Sequence, residues 1–399
     1  MKITRIETLS LGEFPNLVWV LVHTDSGAVG LGETFFGTEA VASYVHETLA
    51  PQMLGQDPLR IEAHSRKLLQ HYVGFKSTGT EIRGASAFDL ALWDIFGQVS
   101  GQPLYQLLGG KCRERIRVYN TCAGYRYVRK RPVLSTENWG LSQAEGPYED
   151  LDAFLTRADE LAESLLSEGY TGMKIWPFDF AAEATNGTDI STSDLKKALE
   201  PFEKIRKRVG NRIDVHVELH ALWQLPAAIK IARALEPFDP YWYEDPIKMS
   251  NMDALARFRE STRVWTTASE TLSTRWAFRE LFERGATSVA MLDIGWCGGM
   301  SEAKKIATMA EAYELPLAPH DCTGPALLTA SVHLAMASPN ALVQEVVRAF
   351  YHGWYRELVT DLPPMKDGFI APTETPGLGT ALKPELRARA DARLRASAL

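Results

Sequence analysis

The chain has 399 residues, of which 45% are hydrophobic and 23% charged, and its formal net charge is −7 at pH 7. This is the composition of an ordinary globular protein, and the length predicts two domains or one barrel with additions. The acidic balance and the lack of a long basic block argue against a nucleic-acid partner.

The sequence carries no signal for export or for a membrane. The N-terminal stretch MKITRIETL alternates like a strand, and no apolar run approaches the roughly 18 residues of a membrane span. The dispersed cysteines, Cys112, Cys122, Cys297 and Cys322, fit reduced thiols and give no structural zinc site. We therefore expect a cytoplasmic protein without a membrane partner.

The first part of the chain predicts an α+β domain over residues 1–111. Short alternating runs predict strands, and longer amphipathic runs predict helices. The domain ends at the glycine-rich segment LLGGK (107–111). The predicted strands are 3–10, 17–23 and 28–33, and the predicted helices are 38–51, 58–72 and 81–99.

The middle of the chain, residues 112–362, repeats one unit: a short hydrophobic run that stops at a polar residue, followed by a helix. From Glu218 onward the polar residues recur about every 25 positions. This rhythm predicts a parallel β/α barrel with its active site at the carboxyl ends of the strands. The predicted helices are 151–168, 194–209, 226–236, 252–260, 276–284 and 301–313, and the outermost strands are 115–122 and 341–346.

Two segments fall outside this rhythm. The long loop 123–150 follows the first barrel strand, and loops at that end usually shape a site. The C-terminal segment, 363–399, is rich in Pro and Gly and then charged. We expect it to pack back on the first domain and to end in a helix over 384–396.

The stretch IDVHVELHALW (213–223) suggests a metal site. His216, Glu218 and His220 alternate with apolar residues, so in a strand they share one face. Burying such groups is costly unless they are paired or bind something. Because Glu244 and Glu270 end the next two predicted strands, three carboxylates should meet at one edge.

The whole pattern resembles the mandelate racemase branch of the enolase superfamily, over almost the whole chain. The resemblance rests on the run ASAFDLALWDIFGQVSGQPLYQLLGG (85–110), the run WCGGMSEAKKIATMAEAY (296–313) and the strand-end residues in family order, Glu218, Glu244, Glu270, Asp293, His320 and Glu345. It implies a modified (β/α)7β barrel with an α+β capping domain that the C-terminal segment completes. It also implies a homo-oligomer, from dimer to octamer.

By this resemblance Glu218, Glu244 and Glu270 bind one Mg²⁺, a hard cation that prefers such oxygen ligands. Glu218 stands where the family more often has Asp. The family's common reaction removes the proton α to a carboxylate, and the resulting enediolate needs positive charge beside it. Lys174, near the end of the second barrel strand, is the expected cation; its alternative is a surface lysine.

Asp293 and His320 come from adjacent strand ends, and an Asp can fix the tautomer of a His and raise its basicity. His320 is therefore the expected base, against the alternative of a His that is only hydrogen-bonded in the barrel mouth. We expect neighbouring carboxylates to raise the pKa of Glu345, which then donates a hydrogen bond to the substrate carboxylate. Its alternative is a structural partner of Arg348.

Two departures from the family bear on the reaction. Trp176 stands where two-base members carry a second Lys, so racemisation through opposite faces lacks one partner. His220 stands where the racemase pattern has Asn, and galactonate-dehydratase-like members use a His there as the acid for a leaving hydroxyl. The alternative for His220 is a residue that bonds a metal carboxylate, and His216, deeper on the strand, is expected to be structural.

The sequence thus predicts a lyase: a Mg²⁺-dependent dehydratase of a sugar acid, an aldonate or aldarate, that forms a 2-keto-3-deoxy acid. A racemase, epimerase or lactone cycloisomerase using the same enediolate chemistry stays open, as does a non-catalytic binding protein that keeps the fold. The small-molecule carboxylate is not identified by the sequence. Its specificity is expected to depend on residues 13–17, 35–38, 73–83 and 123–150.

Overall fold

The computed structural model describes residues 1–69, 78–131, 135–143 and 145–399. In chain order its strands are β1 (Ile3–Leu11), β2 (Phe14–Thr24), β3 (Val29–Phe35), β4 (Ile116–Thr121), β5 (Gly172–Ile175), β6 (Asp214–Glu218), β7 (Trp242–Glu244), β8 (Trp265–Ala268), β9 (Val289–Leu292), β10 (Leu317–Pro319), β11 (Gln344–Val346), β12 (Met365–Lys366), β13 (Phe369–Ile370) and β14 (Ala392–Ala398).

The helices fall into a capping group and a barrel group. The capping group is Thr38–Tyr44, Val45–Leu49 (a π-helical turn), Ala50–Met53, Ile61–Leu69, Thr80–Ser100 and Leu104–Leu107. The barrel group is Asp150–Thr156, Ala158–Ser167, Asp179–Thr185, Thr192–Val209, Leu225–Leu235, Met252–Glu260, Thr274–Glu283, Ile294–Cys297, Gly299–Ala312, Pro325–Ala337, Arg348–Tyr351 and Tyr355–Leu358. Short 3₁₀ turns cover Thr136–Asn138, Glu236–Phe238 and Pro384–Ala388.

The capping domain is an antiparallel sheet in the order β14-β1-β2-β3, with the helix Thr80–Ser100 packed on β3. Side chains of β2 alternate between its two faces. Val18, Val20 and Val22 join the core formed with the cap helices, whereas Trp19 and Leu21 join the large core that the cap shares with the barrel. Because both faces are covered, β2 reads as a nearly continuous hydrophobic run.

The C-terminal end of the chain corrects one prediction. Residues 384–396 do not form a helix: a 3₁₀ turn, Pro384–Ala388, is followed by β14, which pairs antiparallel with β1. The Arg- and Ala-rich composition favours a helix locally. Pairing overrides it, since β14 covers the free edge of β1 and places Arg393 and Arg395 beside Glu39 and Glu47 of the cap helices.

The second sheet curls into a barrel whose eight strands, β4 to β11, run parallel in chain order. β11 pairs with β4, and a bridge between Leu317 and Ala341 joins β10 to the chain just before β11. The hairpin β12–β13 extends the sheet antiparallel to β4. This architecture, a capping domain on a parallel barrel, confirms the predicted fold class. The division at residues 111/112 and 362/363 stays a prediction.

A layer of large side chains fills the barrel below its carboxyl end. Tyr119 of β4, His216 of β6 and Trp242 of β7 pack together, with ring centroids 4.2 to 5.3 Å apart. Gly172 of β5 completes the layer, because a Cβ there would lie only 2.8 Å from Tyr119 and 2.9 Å from His216. His216 is thus part of the barrel's packed interior.

Buried polar contacts fix the cap over the barrel. Asp89 of the long cap helix accepts hydrogen bonds from the backbone N–H and the hydroxyl of Ser301, at 2.9 and 2.6 Å. Glu33 of β3 accepts from the backbone N–H groups of Ala326 and Leu327, in the first turn of a barrel helix. These contacts place the end of β3, with Phe35, at the mouth of the barrel. None of the helices in the described ranges has the length and apolar character needed to cross a bilayer.

Candidate active site

Three carboxylates from consecutive strands meet at the carboxyl end of the barrel. Glu218 ends β6, Glu244 ends β7 and Glu270 follows β8, and each offers an oxygen within 4.8 Å of the other two. Glu218 and Glu244 are fully buried, and Glu270 is half-buried. The predicted strand-end positions therefore do bring these three side chains to one point, and the structure offers hard oxygen donors for a cation there. The predicted alternation stops at Glu218, because His220 lies beyond β6 with left-handed backbone.

Lys174 of β5 lies among these carboxylates. Its Nζ is 2.5 Å from Glu244 Oε1, 3.3 Å from Glu218 Oε2 and 2.7 Å from Glu345 Oε1. Burial lowers the pKa of Lys174, but the surrounding carboxylates outweigh it and hold the pKa well above its usual value. Lys174 is a buried, charged residue of the site, and the alternative of a surface lysine is wrong.

The pKa of Glu345 differs from the predicted one. Burial raises its pKa, but the charges of Lys174 and His320 and the hydrogen bonds from Lys174 and Thr121 leave the pKa below its usual value. The predicted raised pKa is wrong, because the positive charges of Lys174, 2.7 Å away, and of His320 outweigh the effect of burial. Arg348 does not pair with Glu345 either: within the described ranges its guanidinium binds Asp150 and Glu168, at 2.7 and 2.9 Å.

His320 and Asp293 form the first of two histidine–carboxylate pairs. Asp293 directly follows β9 and His320 directly follows β10, and Nδ1 of the imidazole is 2.7 Å from Asp293 Oδ2. The other ring nitrogen, Nε2, is 3.0 Å from Glu270 Oε2. Burial lowers the pKa of His320, but Glu270, Glu345 and Asp293 outweigh it and raise the pKa to about 10.

His220 belongs to the second pair, whose carboxylate the sequence did not reveal. Nδ1 of His220 is 2.7 Å from Oδ2 of Asp179, which begins the short helix after β5. Burial lowers the pKa of His220, but Asp179 and Glu218 outweigh it and raise the pKa to about 9. The sequence around Asp179 has no periodic pattern, and its one signal is its place a few residues beyond the end of β5.

A small cavity of about 50 Å³ separates the two pairs. His220 and His320 both line it, as do Lys174, Glu218 and Glu270. Its remaining walls are largely aromatic and aliphatic, and they come from the cap, from the loop after β4 and from the barrel. These wall residues include Phe35, Phe36, Tyr127, Val128, Trp176 and Trp296.

The predicted specificity segments contribute unequally to this cavity. Phe35 and Phe36 of the 35–38 segment and Tyr127 and Val128 of the 123–150 loop line it directly. Residues 14–17 line a smaller adjoining recess. Of the segment 73–83, residues 73–77 lie outside the described ranges, as do 132–134 and 144 of the loop. Arg83, at its end, stacks 4.5 Å over Trp296.

A larger cleft, about 830 Å³, opens at the opposite end of the barrel, where the strands begin. Its lining includes Asp214, Tyr241 and Trp265, and none of the buried site residues described above contributes to it. Volume alone does not identify a reaction centre, whereas convergent buried groups with shifted pKa values do mark one. The small cavity is therefore the candidate active site.

Two known protein families match separate stretches of this chain. Residues 157–386 match the family described as enolase C-terminal domain-like, and residues 8–109 match the N-terminal domain of mandelate racemase / muconate lactonizing enzyme. The chain belongs to the enolase superfamily. One curated relative is a D-galactonate dehydratase from Ralstonia nicotianae, which is 32% identical over 95% of this chain and 91% of its own length. Another is a D-xylonate dehydratase from Haloferax volcanii, which is 30% identical over 96% of this chain and 87% of its own length.

Solved structures of the superfamily agree with this placement. A crystal structure of an enolase of the mandelate racemase subgroup from Agrobacterium tumefaciens is 52% identical, covers 100% of this chain and 99% of its own, and has a TM-score of 0.88. An enolase protein from Sargasso Sea environmental sequencing is 44% identical with the same coverage and a TM-score of 0.89. The resemblance seen in the sequence is confirmed, and the chain is an enzyme, a hydro-lyase of this superfamily.

Proposed function

We propose that the enzyme dehydrates a sugar acid, an aldonate or aldarate, in a Mg²⁺-dependent reaction that forms a 2-keto-3-deoxy acid. The observation that carries the proposal is the placement of two carboxylate-paired imidazoles, His220 and His320, around one cavity. Elimination of water needs a base for the α-proton and an acid for the β-hydroxyl, and two separately held imidazoles can supply them. The names of the two curated relatives support the same reaction class.

His320 is the proposed base. Its Nδ1 is engaged by Asp293, so Nε2 is the nitrogen that can take the α-proton. Asp293 is itself fixed, because its Oδ1 accepts a hydrogen bond from the backbone N–H of Gly295 at 2.7 Å. When the C–H bond breaks, its electron pair moves into the carboxylate and forms the enediolate.

Lys174 and the cation site are the proposed stabilisers of that negative charge. Glu218, Glu244 and Glu270 would hold one Mg²⁺, which three converging carboxylates suit. When bound, Mg²⁺ supplies positive charge that lowers the energy of the enediolate and offsets the carboxylate charge that keeps a proton on His320. Lys174 adds a fixed, buried positive charge beside the carboxylate oxygens of Glu218 and Glu244.

His220 is the proposed acid. It donates a proton to the β-hydroxyl as the C–O bond breaks, water leaves, and the enol product tautomerises to the 2-keto-3-deoxy acid. Trp176, which lines the cavity beside His220, has no proton-transfer group at the position of a second Lys base. Glu345 stays a proposed site residue: with a lowered pKa it is a carboxylate that holds Lys174 rather than a donor to the substrate.

A direct assay tests the proposal. The purified enzyme is incubated with Mg²⁺ and a panel of aldonic, aldaric and uronic acids that includes D-galactonate and D-xylonate, and 2-keto acid is measured by semicarbazide absorbance. We expect 2-keto acid from at least one aldonate or aldarate. Exchange of the α-proton with solvent but no 2-keto acid across the panel would favour a racemase or cycloisomerase instead. Neither exchange nor product would contradict enediolate chemistry altogether.

A further inference from the structure

Asp179 is a buried carboxylate whose place in the structure suggests a defined task. It begins the helix Asp179–Thr185, four residues beyond the end of β5. Its side chain is only 5% exposed, and Oδ2 lies 2.7 Å from Nδ1 of His220. A buried carboxylate is costly unless it is well paired, so this contact accounts for its position.

Within the described ranges, the contact with Asp179 is the one hydrogen bond that fixes the rotation of the His220 ring. The backbone N–H of His220 donates to Glu218 Oε1 at 2.6 Å, and His220 and Ala221 both have left-handed backbone, with φ of 48° and 54°. The backbone is therefore held, while the ring meets Trp176 edge-on, at a centroid distance of 5.7 Å. A ring contact of this kind does not distinguish the two nitrogens, but a carboxylate at Nδ1 does.

The contact with Asp179 fixes which ring nitrogen of His220 faces the cavity. With Nδ1 held by Asp179, Nε2 is the nitrogen left to face the cavity that His220 lines. His220 lines the cavity and Asp179 does not, so a small molecule in the cavity can reach the imidazole but not the carboxylate. If the Asp179 contact is lost, the ring can turn over and present carbon where the proton donor is needed.

We propose that Asp179 is the positioning residue of His220: it holds the imidazole with Nε2 toward the β-hydroxyl of the substrate. The inference rests on the proposed function in so far as His220 is the acid of the dehydration. Asp179 does not touch the substrate and has no part in removing the α-proton. Its effect should therefore fall on the second half of the reaction alone.

The kinetic test is Asp179→Asn, which keeps the size of the side chain and removes the charge. Misplacing a catalytic group by about 1 Å can cost about 10²-fold in rate, so dehydration of the acid identified by the panel should fall by about that factor. Exchange of the α-proton with D₂O, followed by ¹H NMR, should persist. Unchanged dehydration, or a parallel loss of exchange and dehydration, would overturn the proposal.

Two further variants make the kinetic result specific. Asp179→Glu keeps the charge and moves it by one methylene, so we expect a dehydration rate between those of the wild type and Asp179→Asn, with exchange unchanged. If Asp179→Asn does not fold, Asp179→Glu is the test, and an equal loss of both reactions in it overturns the proposal. Asp189→Asn is the matched control, because Asp189 lies exposed in the loop that follows the helix Asp179–Thr185 and pairs with Lys230. It should leave both reactions unchanged.

A spectroscopic signature separates this inference from the proposed function. In protein labelled with ¹⁵N-histidine, the Nδ1–H of His220 should give a far-downfield proton resonance in the wild type, assigned by its loss in His220→Asn. Asp179→Asn should remove or shift that resonance while the His320 resonance stays. If the wild type dehydrates no acid of the panel, the proposed function fails and this resonance still tests the positioning. An unaltered His220 resonance in Asp179→Asn would overturn the positioning role.

Discussion

The two histidine–carboxylate pairs are built alike and placed differently. In each, the His follows one barrel strand and the Asp follows the preceding one: β10 and β9 for His320 and Asp293, β6 and β5 for His220 and Asp179. Both Nδ1–Oδ2 distances are 2.7 Å. Two imidazoles that are each held by an Asp and that line the same cavity can divide a reaction into a proton removal and a proton delivery.

The differences between the pairs indicate which imidazole does which. Nε2 of His320 is 3.0 Å from Glu270, one of the three clustered carboxylates, so His320 lies beside the charge centre where the enediolate would form. His220 contacts Glu218 through its backbone, and its ring borders the cavity next to Trp176. We propose that the imidazole whose ring contacts the clustered carboxylates, His320, acts at the α-carbon, and that His220 acts at the neighbouring β-carbon.

The largest effect should come from removing the cation, because both halves of the reaction depend on the enediolate. Chelation by EDTA should reduce dehydration and α-proton exchange together, by about 10³-fold or more if the ion supplies about 4 kcal/mol. Added Mg²⁺ should restore both and raise the melting temperature of the wild type. In Glu244→Gln the thermal shift should be lost, whereas in Glu283→Gln, an exposed control, it should remain. Full turnover after chelation would contradict the proposed cation site.

His320→Asn should be next, since it removes the base and leaves the cation site. A positioned general base contributes about 10²- to 10⁴-fold, and both exchange and dehydration should fall by that factor. The matched control is His23→Asn, because His23 also pairs with a carboxylate, Glu7 at 2.9 Å, but lies in the cap sheet. Persistent exchange in His320→Asn would show that another group removes the α-proton.

His220→Asn should have the narrowest effect. Dehydration should fall by about 10²- to 10⁴-fold, because the leaving hydroxyl loses its proton donor. Exchange should remain, since His320, Asp293 and Lys174 are untouched. Dehydration at the wild-type rate would remove His220 from the reaction and leave it as a neighbour of the metal carboxylates.

The positions of the site residues could be predicted from the sequence where the barrel strands impose a simple period. Parallel strands end at one edge and their side chains alternate, so polar residues at strand ends, such as Glu218, Glu244 and His320, had to converge. Asp179 was missed because it begins a short helix in a segment of sequence without a clear pattern, where no period relates its number to its position. The pKa of Glu345 was misjudged because the direction of its shift depends on the distance to Lys174, which the sequence does not give.

The wrong helix over 384–396 has a different cause. Its Arg, Ala and Leu residues favour a helix in isolation, but the free edge of β1 offers backbone partners across the whole segment. Tertiary pairing decided the outcome, as it often does against local propensity. The cap sheet is therefore complete only when both ends of the chain are counted.

The most direct test of the account compares His220→Asn with His320→Asn in D₂O, following α-proton exchange and 2-keto acid in the same NMR sample. We predict that His320→Asn loses both signals, whereas His220→Asn loses 2-keto acid and still exchanges the α-proton. If the two variants lose exchange and dehydration equally, the two pairs do not divide the reaction, and the assignment of base and acid is contradicted.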